Sequence, residues 1–505
     1  MENNVNYPQM VIHKLNGISE SERYLIKKCN KTFLSLWSWP NLFTEEKKGK
    51  ELCDVFISFK DHIFIFSDKF CNFSQEKDVR IAWNRWYKHA IHDSARQIVG
   101  AEKYLRDGRP LFLDAKAKTP FPYSIRITDK TKIHRIIVAR GAREACKAFF
   151  NGGSGSLILD TTLTEDAHYC KCQITGEPEP IDFEENPLFR VGFVLGRDTF
   201  FHVFDEQTLD CIMDELDTVS DFIQYLQCKE SLLSSAKVII ATGEEDILAQ
   251  YLSTIENNQH CIVTKAQMRQ SDMFCFEEQW EDYYNSNERK IKKEADKKSY
   301  LWDHLLEKAF MNLMDGTSHS LSHCSYEDQS LLFCRFAELN RTERRIISGS
   351  LADSWTQAKK RVEPSGNPIQ QFMRGSVLAS HPDTMIVIIW LHYSSNVSLQ
   401  EFLQIRRKLL ETRMLVLDLQ KPASVKYIIG IAKTIEMDKD DSEDFAYINA
   451  DEVSSESDAV KEAVELYEKL SSSVEQKAYT VTSEEYSEKE TKEEIPSFGL
   501  NSIHK

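Results

Sequence analysis

Two apolar segments near the N-terminus predict a β-hairpin. Residues 51–59 and 63–69 are rich in Val, Ile and Phe, and the polar turn 60–62 separates them. β-branched and aromatic residues favour strands, and a short polar break between two such segments is typical of a hairpin. Acidic residues stand at the start of the first strand, and an acid followed by a lysine closes the second. Acids and a lysine brought together by neighbouring strands can bind a divalent cation and activate a water molecule.

The charged residues of this hairpin are Glu51 and Asp54 on the first strand and Asp68 and Lys69 on the second. Because side chains alternate along a strand, Lys69 is expected on the same face as Ser67, and Asp68 on the opposite face.

This pattern resembles the metal site of the PD-(D/E)xK nuclease superfamily, over about residues 20–140. In that family an acid on one strand is followed, on the next strand, by an acid and a lysine two positions apart. Asp54 matches the first acid and Lys69 matches the lysine, but Ser67 stands where the second acid is expected. Three explanations remain open: a β-bulge that turns Asp68 inward, an acid supplied by Glu51, or an inactive site.

The resemblance implies a set of site residues and a cofactor. The implied metal ligands are Asp54 with Asp68 or Glu51, and the implied ion is Mg²⁺ or Mn²⁺. The metal would lower the pKa of a bound water, and Lys69 would orient that water or stabilise the charge that develops on the phosphate. The implied catalytic residues are Asp54, Asp68, Lys69 and Glu51.

A long helix is predicted after the hairpin, over residues 79–106, and it interleaves basic and aromatic residues. Basic side chains on such a helix can contact phosphates. Trp83 and Trp86 lie three positions apart, hence on one face, which favours a core position for both rings. Gln97 lies where some members of the resembled family place a glutamine. The candidates for nucleic-acid contact are Arg85, Lys88, Arg96 and Gln97.

Two other patterns have simpler explanations. The cluster His168–Cys172 contains soft metal ligands, but no second ligand pair at zinc-site spacing accompanies it, which favours chance. The basic segment Arg341–Arg345 could bind nucleic acid, although a solvated helix face is the more common outcome.

The order of predicted elements indicates a mixed α/β protein with a second α/β region and a helical and mixed C-terminal region. The resemblance implies that the first sheet is restriction-endonuclease-like and flanked by helices. Helices are also predicted over residues 206–215, 219–233 and 458–470, and strands over residues 384–391 and 414–418. The predicted divisions are residues 1–130 (nuclease-like), 131–260 (α/β, with continuity to the first left open), 261–435 (helical and mixed) and 436–505. The last segment has 20 acidic residues and 7 lysines, a net charge of −13 out of −16 for the chain, and is predicted to be a largely mobile tail.

The leading functional hypothesis is a metal-dependent nuclease that cleaves DNA or RNA, in prokaryotic defence or nucleic-acid processing. The main alternative is a catalytically inactive interaction or scaffold protein with the same fold, and a nucleotide-responsive sensor built on residues 130–255 is a third. Nucleic acid is the expected partner, and a protein partner or homo-oligomer stays open. No apolar segment reaches the ~20 residues that cross a bilayer, and scattered cysteines suit reduced thiols, so a cytoplasmic protein without a membrane partner is expected.

Overall fold

The computed structural model divides the chain into two compact units. The N-terminal unit comprises residues 1–289 and 310–330, and the C-terminal unit comprises residues 290–309 and 331–505. The structure describes residues 11–46, 49–74, 78–171, 186–235, 237–317, 326–362, 370–393, 396–454, 457–470, 476–483, 485–486 and 490–494.

The N-terminal unit is built from two main sheets with helices around them. Its first half contains α1 (Glu20–Trp37), β1 (Ser38–Pro40), β2 (Phe43–Thr44), β3 (Val55–Phe59), β4 (His62–Phe70), α2 (Val79–Tyr87), a π-helical turn (Lys88–His92), α3 (Asp93–Arg106), β5 (Leu111–Phe112), β6 (Lys132–Arg140) and α4 (Arg143–Phe149). Its second half contains β7 (Ile158–Thr164), a 3₁₀ turn (Glu165–His168), β8 (Arg190–Phe193), β9 (His202–Phe204), α5 (Glu206–Glu215), α6 (Val219–Leu233), β10 (Val238–Ala241), α7 (Glu244–Ser253), β11 (Ile255–Glu256), β12 (Gln259–His260), α8 (Lys265–Gln270), β13 (Met273–Phe276) and α9 (Gln279–Asn285).

The larger sheet of this unit has the described strand order β1-β3-β4-β6-β9. β3 is antiparallel to both β1 and β4, whereas β4, β6 and β9 are parallel to one another. Parallel strands are covered on both faces, which explains the nearly continuous apolar character of β4 and β6. A second sheet has the order β13-β10-β7-β8, and β2–β5 and β11–β12 form short pairs.

Aromatic side chains fix the helix layer on one face of the larger sheet. Phe64 and Phe66 of β4 contact Phe33 of α1, with ring centroids 5.0 and 6.2 Å apart. Phe222 of α6 contacts both Phe33 and Phe64. α3 covers the other face, where Glu102 pairs with Arg135 of β6. The sheet is therefore enclosed by α1 and α6 on one side and α3 on the other.

The C-terminal unit is a second α/β assembly. Near the division lie α10 (Asn287–Asp296), a 3₁₀ turn (Lys297–Ser299) and α11 (Tyr300–Met314), followed by α12 (Tyr326–Ala337), α13 (Arg341–Arg361), β14 (Gln371–Leu378), β15 (Thr384–Leu391), α14 (Leu399–Gln420), β16 (Tyr427–Thr434), β17 (Glu443–Asn449), α15 (Asp458–Leu470), β18 (Gln476–Ser483) and β19 (Glu490–Glu494). The described sheet order is β17-β16-β15-β14-β18-β19, and α14 is the crossover between the parallel strands β15 and β16.

The predicted mixed α/β class is confirmed, with 46% of the structure helical and 23% in strands. The helix predicted over residues 79–106 is present with a π-helical turn inside it, and the predicted helices over residues 206–215, 219–233 and 458–470 have the predicted bounds. The strand predicted over residues 414–418 was wrong, because these residues lie inside α14. That segment is apolar and short, and such a segment cannot be assigned to helix or strand by periodicity alone.

The predicted divisions differ from the observed units. β6 and β9 pair directly in one sheet with β4, so a boundary at residue 130 would cut this sheet, and the first two predicted segments are continuous. Residues 436–505 supply β17, β18 and β19 to the sheet of the C-terminal unit rather than only a tail. The high charge of this segment hides the strand pattern, because the edge strands β17 and β19 carry many polar side chains.

The basic segment at the start of α13 is not a solvated surface. Arg341 and Arg344 are buried, and each forms an ion pair with Asp303 at a nitrogen–oxygen distance of 2.7 Å. Arg345 is also buried and pairs with Asp296. These three buried arginines are therefore structural cations. The favoured interpretation, a solvated helix face, is wrong for them, and so is the alternative of a nucleic-acid surface.

Within the part of the chain that the structure describes, every helix is too short or too polar to pass through a lipid bilayer.

Candidate functional site

The charged residues of the hairpin lie at one end of the larger sheet. Because β3 and β4 are antiparallel, the start of β3 and the end of β4 are neighbours. Asp54 directly precedes β3, and its Oδ2 accepts a 2.6 Å hydrogen bond from the main-chain N–H of Asp68. The topology thus brings together residues that are fourteen positions apart in the sequence.

The second strand is regular at this point. The pairing of β4 with β6 continues without a register shift from His62↔Lys132 to Phe70↔Arg140. The side chains of Asp68 and Lys69 therefore keep to opposite faces of β4, and this pairing contains no bulge that would turn Asp68. Ser67 is fully buried, and its Oγ has no hydrogen-bond partner.

Asp68 has a specific partner on the adjacent strand. Its Oδ1 accepts a 2.8 Å hydrogen bond from Nε of Arg140, in an ion pair whose carboxylate is fully buried. Its Oδ2 is buried without a hydrogen-bond partner. Burial raises the pKa of Asp68, and the charge of Arg140 opposes that rise. Asp68 is therefore well placed to hold Arg140 and to present its N–H to Asp54.

Asp54 has the most perturbed carboxylate at this end of the sheet. Burial raises its pKa from 3.8 to about 6, although the hydrogen bond from the Asp68 N–H and the charge of Lys69 both oppose the rise. The charges of Asp68 and Glu22 raise the pKa further. Burial disfavours the charged form of a carboxylate, and a cation that comes close to it stabilises that charged form.

Two further acids complete the cluster. Glu51 is half-buried; burial and the charge of Glu22 raise its pKa, whereas a hydrogen bond from Asn41 and the charge of Lys69 lower it. Glu22 lies in the first turn of α1 and interacts with Asp54, Asp68 and Glu51. Glu22 was not among the predicted site residues. The available signal was its position in the first turn of a helix capped by Ser19. The sequence alone, however, does not show that this turn lies close to β3.

The cluster suits a weakly held hard cation. Mg²⁺ is usually bound through one or two carboxylates, with water and substrate phosphates completing its shell. Asp54 and Glu51 could supply such ligands beside Lys69. Among the described residues, the one group of three His, Cys, Asp or Glu side chains whose ligand atoms all lie within 4.8 Å of one another is elsewhere, at His134, His202 and Glu230. The hairpin acids therefore do not form a closed three-ligand cage.

The helix after the hairpin covers the face of β4 that carries Lys69. Trp83 and Trp86 are buried. Nε1 of Trp86 donates hydrogen bonds of 3.1 Å to the carbonyl oxygens of Cys71 and Arg140. The core position that their spacing favours is thus observed. The candidates for nucleic-acid contact lie on the outer side of this helix: Arg85, Lys88 and Arg96 are exposed, and Gln97 is partly buried.

The His168–Cys172 segment has a structural explanation in its described part. His168 is buried; its Nδ1 lies 2.7 Å from the carbonyl oxygen of Glu165, and its Nε2 accepts a hydrogen bond from the N–H of Gly192. Both ring nitrogens are therefore occupied by the main chain. Cys172 lies outside the described residues.

Comparisons with known proteins give no relative. No protein-family model matches the chain, no curated protein matches it, and no solved structure matches it.

Proposed function

We propose that the protein is a metal-dependent nuclease that hydrolyses phosphodiester bonds of DNA or RNA. The observation that carries the proposal is the position of Asp54, which is buried, has a raised pKa, and lies within electrostatic reach of Lys69, Asp68 and Glu22. This arrangement favours a divalent cation next to Asp54, and Mg²⁺ or Mn²⁺ is the ion that carboxylate ligands suit.

Each group would have a distinct role. Asp54 would bind the metal, and Glu51 would add a second carboxylate from the same end of the sheet. Lys69 would orient the attacking water or stabilise charge on the phosphate. Asp68 would act as a positioning residue, through its N–H bond to Asp54 and its ion pair with Arg140. The bound metal would supply a more acidic water and screen the charge on the phosphate.

Two observations bear on the substrate and the setting. The exposed bases Arg85, Lys88 and Arg96 lie along one continuous helical segment and could contact a phosphate backbone. All the cysteines for which the structure gives a state are free, which suits a reducing compartment. A cytoplasmic role in prokaryotic defence or nucleic-acid processing is the setting we propose.

The test is cleavage of labelled DNA and RNA by the full chain with Mg²⁺. We expect Asp54→Asn and Lys69→Ala each to lower cleavage at least about 100-fold, a loss typical of removing one charged catalytic group. The controls are Asp61→Asn, at the turn of the same hairpin, and Lys103→Ala, on the exposed side of α3. Cleavage that persists unchanged in both site variants would remove this site from the account.

Ser67 favours a second candidate, a nuclease-fold protein that binds partners without catalysis. Ser67 occupies the position where the resembled family has its second acid, and it is fully buried. A wild-type chain that binds Mn²⁺ at Asp54 but cleaves neither DNA nor RNA would favour this scaffold role.

A further inference from the structure

A histidine cluster lies at the opposite end of the larger sheet from Asp54. His62, His134 and His202 stand near the starts of the parallel strands β4, β6 and β9, and Glu230 of α6 lies over them. Lys69 is seven positions along β4 from His62, which places the two ends of this strand roughly 23 Å apart at ~3.3 Å per residue. The cluster is therefore separate from the candidate nuclease site.

One carboxylate oxygen joins two imidazoles. Oε1 of Glu230 lies 2.8 Å from Nδ1 of His134 and 2.9 Å from Nε2 of His202. Both histidines are fully buried, whereas the Glu230 side chain is 31% exposed. Burial disfavours the charged form of Glu230, but the hydrogen bonds from the two histidines lower its pKa well below the ordinary value. The Glu230 carboxylate therefore opens toward solvent, whereas the two imidazoles do not.

The hydrogen-bond chain determines the tautomers of neutral imidazoles. A carboxylate can only accept, so Nδ1 of His134 and Nε2 of His202 carry protons. Nε2 of His134 is then an acceptor, and Nδ1 of His62 donates to it over 2.9 Å. Nε2 of His62 in turn accepts from the side-chain amide of Gln227 over 3.4 Å. Each of the three hydrogen bonds that link Gln227, His62, His134 and Glu230 thus has one donor and one acceptor.

The same atoms form a ligand set for a transition metal. The ligand atoms of His134, His202 and Glu230 all lie within 4.8 Å of one another. Tetrahedral zinc with bonds of 2.0–2.1 Å requires ligand atoms ~3.3 Å apart. The observed 2.8 and 2.9 Å contacts would therefore open by only about 0.5 Å to admit the ion between the two nitrogens and the oxygen.

We propose that His134, His202 and Glu230 form a Zn²⁺ site in which the fourth position is open to water on the side of Glu230. The ion would join α6 to the starts of β6 and β9. Two imidazoles and one carboxylate are a ligand set that zinc takes in proteins, and an imidazole nitrogen selects zinc over magnesium.

His62 is a positioning residue for this site. When Nδ1 of His134 binds the ion, its proton moves to Nε2, and Nε2–H then donates to Nδ1 of His62. The proton of His62 moves to its Nε2, where the Gln227 side chain turns to accept it through its amide oxygen. In His202 the proton moves from Nε2, which binds the ion, to Nδ1, a buried atom without a hydrogen-bond partner. No imidazole proton is lost in this exchange. The rings of His62 and His134 lie within 4° of parallel, so the contact is maintained without a ring rotation. Such a hydrogen bond to the second nitrogen of a metal-bound histidine typically raises metal affinity 10–100-fold.

The experiment is metal titration of the full chain after chelator treatment, in excess Mg²⁺. Zn²⁺ is measured by calorimetry and by mass spectrometry of the native protein, and Co²⁺ is measured by its visible absorption. We expect one Zn²⁺ per chain, and an intense Co²⁺ spectrum typical of four-coordinate geometry. His202→Gln and Glu230→Gln are each expected to lower Zn²⁺ affinity at least about 100-fold, and His62→Ala about 10- to 100-fold.

Control variants separate this site from other metal binding. His392→Asn removes a different His–Glu pair, with Glu436, and Asp54→Asn removes the candidate nuclease ligand; both are expected to keep full Zn²⁺ affinity. Circular dichroism verifies that each variant is folded. Should the wild type bind no Zn²⁺, or should its affinity be unchanged in folded Glu230→Gln, the cluster is a metal-free hydrogen-bond network and the proposal fails.

Discussion

Nε of Arg140 donates a 2.8 Å hydrogen bond to Oδ1 of Asp68 in an ion pair that crosses from β6 to β4. The carboxylate is fully buried and the arginine side chain is only 10% exposed, so neither charge has bulk water as a substitute partner. The pair ties the two strands together at the end of the sheet where Asp54 lies. Removing one partner of a buried pair leaves the other charge uncompensated.

We therefore expect Asp68→Asn to lower the free energy of unfolding by about 3 kcal/mol. Asp78→Asn is the control, because Asp78 forms only a local pair with Arg80 near the surface and caps α2. Because asparagine caps a helix about as well as aspartate and the pair lies near the surface, this change should cost less than about 1 kcal/mol. Urea unfolding monitored by circular dichroism measures both values, and equal losses in the two variants would contradict a structural role for the Asp68–Arg140 pair.

Replacing Ser67 with aspartate would restore the missing acid of the resembled pattern. Ser67 is fully buried, so in chelator the new carboxylate should lower the thermal midpoint. If a cation binds beside Asp54, Mg²⁺ or Mn²⁺ should recover part of that loss, and Mn²⁺ affinity should increase above that of the wild type. Ser67→Asn is the control, because it adds similar volume without charge. A midpoint in Ser67→Asp that does not respond to either ion would argue against a cation there.

The outer side of the helical segment 79–106 should set the salt dependence of nucleic-acid binding. Each phosphate contact contributes about one unit to the slope of log affinity against log salt. A triple alanine variant at Arg85, Lys88 and Arg96 should therefore bind more weakly, with a slope reduced by about three units. The matched control replaces Lys116, Lys118 and Lys130, which are also exposed. Fluorescence anisotropy at several salt concentrations measures both, and an equal change in the two variants would exclude a specific helical surface.

Glu245 should make stability depend on pH. Burial raises its pKa from 4.5 to about 7, and the charge of Asp205 adds to the rise; Oγ of Ser156 donates a 2.7 Å hydrogen bond to it. Cys146 and Cys211 also lie in its electrostatic surroundings. Between pH 4.5 and about 7 the folded chain holds a proton on Glu245 that the unfolded chain does not hold, so this residue lowers stability as pH rises.

Accordingly, Glu245→Gln should change stability little at pH 4.5 and raise it at pH 8, by on the order of 2–3 kcal/mol. The exposed Glu144→Gln serves as the control and should show no such pH-dependent difference. Chemical unfolding at the two pH values measures the effect. A Glu245→Gln variant that gains no stability at pH 8 relative to pH 4.5 would contradict a raised pKa for Glu245.

The sequence predicts this fold well where the chain has a strong local pattern. β15 and α6 were predicted with their observed bounds, since each has a clear apolar pattern between polar ends. The prediction failed in α14, where the apolar run around Val416 is buried in a helix and has no helical stripe of its own. β18 was missed because its polar and charged residues resemble those of a linker.

The two candidate sites differ in how many of their residues could be predicted from the sequence. Asp54 and Lys69 were found because they flank one hairpin, whose topology follows from a short turn. The histidine cluster was missed because its members come from four elements, far apart in the sequence. His134 and His202 each stand early in an apolar strand, and that shared position was the one signal available.

Calorimetric titration of the full chain with Mn²⁺ tests whether Asp54 holds a divalent metal. We expect the wild type to bind Mn²⁺, with an affinity that falls at least tenfold in Asp54→Asn and is retained in both Asp61→Asn and Glu230→Gln. A wild-type chain that takes up no Mn²⁺, or an Asp54→Asn variant that binds it with unchanged affinity, would contradict a metal site at Asp54.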